Sequence, residues 1–182
     1  MCRTRDIFVC LGLLMSAATV IAQHADQVAT VRVGVIVQSP RARIESVLPR
    51  MRERVIKMTT DKKRNITGVW LTDNGKSGFE EARDANCDYL LQVTVTELNQ
   101  VNIGSPAPDV RHTGAETAVG APIEVTYKLQ SLKNEAVIID DRREVQAEEY
   151  PLDESATAFE TAVTRAVDGA VSASMSKLKK KL

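Results

Sequence analysis

The apolar positions of this chain change period several times, and each change marks an element. Thr30–Gln38, TVRVGVIVQ, is β-branched with Val31, Val33, Val35 and Val37 on one face, which predicts a strand buried on at least one side. Ser39-Pro40 offers a cap and a first-turn proline for a helix. Ile44, Leu48, Met51, Val55 and Met58 then recur at spacings of 4, 3, 4 and 3, an amphipathic stripe. Pro49 is awkward within it. Either the regular helix begins near Ser46, with Pro49 in its first turn, or it kinks there. Thr59–Arg64 reads as a polar turn, Asn65–Thr72 as a second strand and DNGKSG as the loop after it. Phe79–Ala85 has helical spacing, and Tyr89–Leu98 alternates, with Tyr89, Leu91, Val93 and Val95 facing one way. Between these two, Asn86 tolerates the left-handed conformation that closes a helix. Cys87 is a small apolar plug at the junction, and Asp88 can accept backbone N–H bonds in the turn.

Asn99–Ala121 is a long, weakly patterned connection. Ile123–Leu132 alternates again, Lys133-Asn134 turns, and Ala136–Ala147 returns as a hairpin partner. Asp153–Leu178 is a closing helix whose inner face includes Phe159, Val163, Val167 and Val171. Its acidic residues come early and its lysines late, as the helix dipole favours. The order is β-α-β-α-β-β-β-α, so the expected fold is α/β (α+β): one mixed sheet with helices packed on it.

The amino terminus adds a destination. Arg3 and Arg5 precede an apolar run, Ile7–Ala22, and Val20 and Ala22 are small residues before Gln23. That is the pattern of a secretory signal peptide over residues 1–22, cleaved after Ala22. At 16 residues the run is short for a bilayer span, and Cys10 lies too early in it to carry a lipid. The expected layout is a tail over 23–28, one domain over 29–178 and a basic tail over 179–182, in a periplasmic or secreted protein with no membrane span after cleavage. The mature chain would carry 22 basic and 23 acidic residues, with no global drive toward nucleic acid. Cys87 would be its only cysteine, so no disulfide could form within it.

Candidate chemistry is sparse. Strand–GKS–helix is the layout of a phosphate loop, but the position that needs its first glycine is Trp70. Cys87 and His112 could be drawn as a nucleophile and base, but His112 and His24 stand in segments that promise no positioned base. No His or Cys pair has metal-ligand spacing, and Asp140-Asp141 points to opposite faces of a strand. Asn65-Ile66-Thr67 matches a glycosylation sequon placed in a strand. No catalytic, cofactor-binding or metal-binding residue is therefore assigned. Lys177, Lys179, Lys180 and Lys181 form a cationic end that reads as a solvated helix terminus or as a weak contact with an anionic surface.

The arrangement helix–ANCDYLL–alternating strand resembles the curli-assembly (CsgG-like) and penicillin-binding-protein-activator (LpoB-like) families. Ala82, Asp88, Tyr89, Leu90 and Leu91 fit their pattern, whereas Asn86 and Cys87 stand where glycine and alanine are more usual. The resemblance implies a non-enzymatic bacterial-envelope protein. Two departures matter: the chain lacks the lipid-bearing cysteine common in these families, and it lacks apolar hairpins long enough for an outer-membrane pore. Two hypotheses follow. One is an envelope interaction module whose sheet edge and Asn99–Ala121 loop contact a protein partner. The other is an exported hydrolase-like enzyme, which would need a pocket of convergent titratable groups.

Overall fold

The β-branched run forms β1 (Val31–Gln38), which the computed structural model buries on both faces. The structure describes residues 30–72, 77–98, 117–119, 122–145, 149–151 and 155–182. After β1 come α1 (Ala42–Glu45), α2 (Leu48–Thr59), a 3-10 turn at Lys62–Arg64, β2 (Ile66–Trp70), α3 (Gly78–Asp84) and β3 (Tyr89–Glu97). Then follow β4 (Thr117–Val119), β5 (Ile123–Ser131), β6 (Val137–Val145), β7 (Glu149–Pro151) and α4 (Ser155–Lys181). The signal peptide lies outside the described residues.

Five strands make one mixed sheet in the order β2-β1-β3-β5-β6, so the expected α+β architecture is the observed one. β1 runs parallel to both β2 and β3, while β3–β5 and β5–β6 are antiparallel. The chain steps from β1 out to β2 and then back across β1 to β3. Crossovers of one hand in opposite directions must place their helices on opposite faces. Accordingly α2 packs with α4 on one face, against Val33, Val35, Leu91, Val93, Val125 and Leu129. On the other face Ala82 of α3 joins a smaller cluster with Ile36, Leu71, Cys87, Leu90 and Leu132.

Pro49 splits the first helical region. Ser39 does not cap a helix directly, although its Oγ accepts the Arg41 N–H at 3.1 Å. A single turn, α1, runs to Glu45, and α2 restarts at Leu48 with proline in its first turn, where no hydrogen bond is lost. Toward the other end of α2, Thr59 lies so close to Gly68 of β2 that a Cβ there would sit 1.9 Å from its Oγ1.

The junction after α3 is a Schellman closure. Asn86 is left-handed, with φ 52°. Its N–H donates to Arg83 O, and the Cys87 N–H donates to Ala82 O, both at 2.9 Å. Cys87 then packs over Gly34, whose Cβ would lie 3.2 Å from the thiol, which explains the small side chain. Asp88 does more than cap a turn. Its Oδ2 accepts Arg32 N–H at 2.7 Å, its N–H donates to Arg32 O, and its carbonyl accepts Leu132 N–H at 2.8 Å. One residue thus joins the starts of β1 and β3 to the end of β5.

Three expectations need correcting. The weakly patterned connection Asn99–Ala121 includes a short strand, since Thr117–Val119 pairs antiparallel with Glu149–Pro151 as a separate two-stranded ribbon. The lysine-rich tail is no tail, since α4 continues through it to Lys181. Asn65 belongs to the turn before β2, with φ 52°, so the sequon begins outside the strand. Along α4, Val163, Val167 and Val171 are fully buried, whereas Phe159 is half-buried under the Arg43 guanidinium, 3.8 Å from the ring centre.

Candidate functional site

The two edges of the sheet differ. Along β2, Ile66 exchanges both backbone hydrogen bonds with Asp61 at 2.9 Å, and Gly68 N–H donates to Thr60 Oγ1 at 3.1 Å. The chain's own turn therefore occupies this edge. The far edge, β6, carries Asp140, Asp141, Arg142, Arg143 and Glu144 in succession, a charge density that disfavours strand addition. A partner strand finds the β2 edge taken, and at β6 it meets a row of charges.

The face opposite α2 and α4 is only half covered, because α3 is seven residues long and reaches across β1 and the start of β3. Beyond it the outward positions are polar: Gln38 on β1, Gln92 and Thr94 on β3, Thr126 and Lys128 on β5, and Asp140 on β6. Strand alternation produces this surface, since on β3 and β5 each of these residues sits between neighbours buried on the other face. Together they line an open depression of about 170 Å³. Gln38 Nε2 donates to Thr94 Oγ1 at 3.3 Å, and Lys128 stands opposite Asp140 in the ladder. Nearby, Arg142 and Glu124 pair at 2.5 Å. Tyr127 turns its hydroxyl away to the other face, donating to Asp141 Oδ2 at 3.2 Å. Burial and the neighbouring carboxylate push that phenol's pKa up.

At the Glu97 end of this surface, Leu98 N–H donates to Pro122 O at 2.9 Å. Residues 99–121 thus leave and re-enter the sheet beside the open face. Most of that segment lies outside the described residues, and its described piece, β4, is held by β7. The face offers amide, hydroxyl, ammonium and carboxylate groups spread over a shallow sheet, suited to hydrogen-bonding a broad surface.

The other candidates from the sequence do not converge on it. Cys87 is buried on α3's side of the sheet, and desolvation raises its thiol pKa. His24 and His112 lie outside the described residues, as does Asp73–Lys76 of the GKS loop. Ser77 of that loop is committed to a capping box. Its Oγ accepts Glu80 N–H at 3.2 Å while Glu80 Oε2 accepts Ser77 N–H at 3.0 Å. A carboxylate thus occupies the helix start that a phosphate would need. Asp140 and Asp141 do point to opposite faces, as their pairing with Lys128 and Tyr127 requires. Among the described residues, no group of three His, Cys, Asp or Glu side chains could hold a metal, and no helix is long and apolar enough to cross a membrane. Sequence reasoning missed the open face. Its polar alternation was legible at Gln92, Thr94 and Thr96, but how far α3 would cover it was not.

No protein-family model and no curated protein matches the sequence. Solved structures do. Protein XCC0632 from Xanthomonas campestris, of family DUF330, superposes with a TM-score of 0.51 at 13% identity, over 85% of this chain and 89% of that one. A PelC dodecamer from Paraburkholderia phytofirmans gives 0.43 at 15% identity, over 82% and 89%. The LpoB C-terminal domain from Salmonella enterica gives 0.35 at 12% identity, over 70% and 91%. At these identities the likeness concerns the fold, and of the three the Xanthomonas protein carries it.

Proposed function

We propose that this chain is a non-catalytic interaction module of the bacterial envelope, exported through its amino-terminal segment, that binds a protein partner on the open polar face and through residues 99–121. One observation carries the reading: a sheet with its β2 edge occupied and its β6 edge lined with charges leaves half of one face bare, directly beside the ends of a 23-residue connection. A polar face of this kind costs nothing to leave in water and can exchange its hydrogen bonds with a partner. The resemblance of ANCDYLL and its flanking elements to the LpoB-like envelope proteins points the same way, and the export pattern supplies the compartment. The sheet edges drop out of the contact surface, and the half-covered face takes their place.

The test shortens the connection while keeping β4. Residues 100–115 are replaced by a few glycines and serines, leaving Thr117–Val119 to pair with β7. Closing a shorter loop changes stability by only about 1 kcal/mol, so the melting temperature should hold. Partner recovery after crosslinking in the native envelope should fall severalfold. If the shortened protein recovers every partner at the original yield, the connection is a tether and contributes no contact.

A further inference from the structure

Folding brings together two basic segments that lie far apart in the sequence. Asp61 caps the 3-10 turn by accepting Lys63 N–H at 3.1 Å, and it also holds Lys179 Nζ at 2.8 Å. The Arg64 guanidinium in turn donates to the carbonyl of Lys179, near the end of α4, where a cation favours the helix dipole. Lys62, Lys63 and Arg64 therefore stand beside Lys179, Lys180 and Lys181 at one end of the domain. Asp61 is the only acidic side chain within residues 57–64 and 175–182, and the ion pair with Lys179 uses it. Further along α4, Asp168 is taken by Arg54 at 2.5 Å. The chain as a whole carries 24 basic and 24 acidic residues, so this end is a strong local excess. Lys62, Lys63, Lys180 and Lys181 are all exposed.

At the other end of the sheet acidic and basic side chains are matched: Glu97 pairs with Arg43 and Glu124 with Arg142. Residues 99–121 leave and return at that end, roughly 30 Å away along the nine-residue strands. The chain amino-terminal to the domain, by contrast, enters at the basic end. Val31 N–H donates to Asn65 O at 2.8 Å, directly after Lys62–Arg64. Its apolar run ends at Ala22, a few residues before the first strand.

We infer that the composite surface of Lys62, Lys63, Arg64, Lys180 and Lys181 rests on an anionic phospholipid bilayer and orients the domain with the Leu98–Pro122 end of the sheet away from it. Both segments are needed, because neither supplies the full charge and Asp61 and Lys179 lock them into one rigid unit. Attraction of this kind is additive over cations near the surface and fades with salt.

The experiment uses the exported protein and sedimenting vesicles of phosphatidylglycerol and phosphatidylcholine at low salt. Wild type should bind, release at high salt, and ignore vesicles of phosphatidylcholine alone. Lys62→Glu with Lys63→Glu, and separately Lys180→Glu with Lys181→Glu, should each weaken binding roughly tenfold or more. These side chains leave Asp61, Arg64 and Lys179 in place, so circular dichroism melts should match wild type. Arg41→Glu with Arg52→Glu makes the same charge change elsewhere and should leave binding within about twofold. Equal losses in that control would reduce the effect to net charge and overturn the inference, as would loss in only one of the two patch variants. Tighter binding to a single-stranded DNA oligonucleotide than to the anionic vesicles would also overturn it. Because no partner protein enters the assay, its failure leaves the proposed binding face untouched.

Discussion

Gly68→Val should be the most damaging single substitution in the sheet, lowering stability by about 3 kcal/mol or more. A Cβ at this position would fall 1.9 Å from Thr59 Oγ1, 2.9 Å from Thr59 Cβ and 3.2 Å from the Ile56 carbonyl oxygen. Rotating the threonine hydroxyl removes the first clash but not the other two, which involve the helix itself. Thr59 is also fully buried, with Oγ1 donating to Val55 O at 2.9 Å. The end of α2 would have to lift from β2, opening the core at Val55 and Ile66. Thr60 would move with it and release the Gly68 N–H that guards the β2 edge. Chemical denaturation followed by tryptophan fluorescence reads this directly, since Trp70 lies two residues away. A midpoint within error of wild type would mean that α2 and β2 are further apart than described.

Leu178→Ala should cost about 3 kcal/mol, which for a domain of this size lowers the melting temperature by roughly 10 °C. Leu178 is completely buried, although it sits in the lysine-rich stretch that sequence alone assigns to the domain's last residue. Deleting its buried methyl groups leaves a cavity where α4 meets the rest of the core, and Asp61–Lys179 and Arg64–Lys179 next to it lose their fixed partner. Leu182→Ala is the matched control. That residue is 55% exposed, and its truncation should leave the melt unchanged. If both substitutions behave alike, the last turn of α4 is frayed and the basic surface has no rigid base.

Much of the fold was legible because burial imposes a period. The alternation in Tyr89–Leu98 and Ile123–Leu132 located β3 and β5 to within a residue, and the 4-3-4-3 spacing located α2. Pro49 left a choice between a helix starting near Ser46 and a kink, and the helix starts at Leu48 with Pro49 in its first turn. Ser77-x-x-Glu80 is a capping-box signature that the sequence carries in plain form, overlapping the GKS that resembles a phosphate loop. The ribbon of β4 and β7 could not. Three-residue strands carry no usable period, and each is stabilised by a partner some thirty positions away in the chain. The composite basic surface was equally hidden, because Arg64 and Lys179 are 115 positions apart and only tertiary structure joins them. The open face lies between these cases: its polar positions were visible, but its exposure depends on how short α3 is.

The central claim is that partners bind the half-covered face. A photo-crosslinking amino acid placed at Thr126, exposed on that face, and in a parallel strain at Glu53, exposed on α2, samples both sides of the sheet in the living envelope. The account predicts a discrete protein adduct from Thr126 that disappears when residues 100–115 are shortened, and none of the same mass from Glu53. An adduct from Glu53 with Thr126 silent would place the contact on the helical face and contradict it.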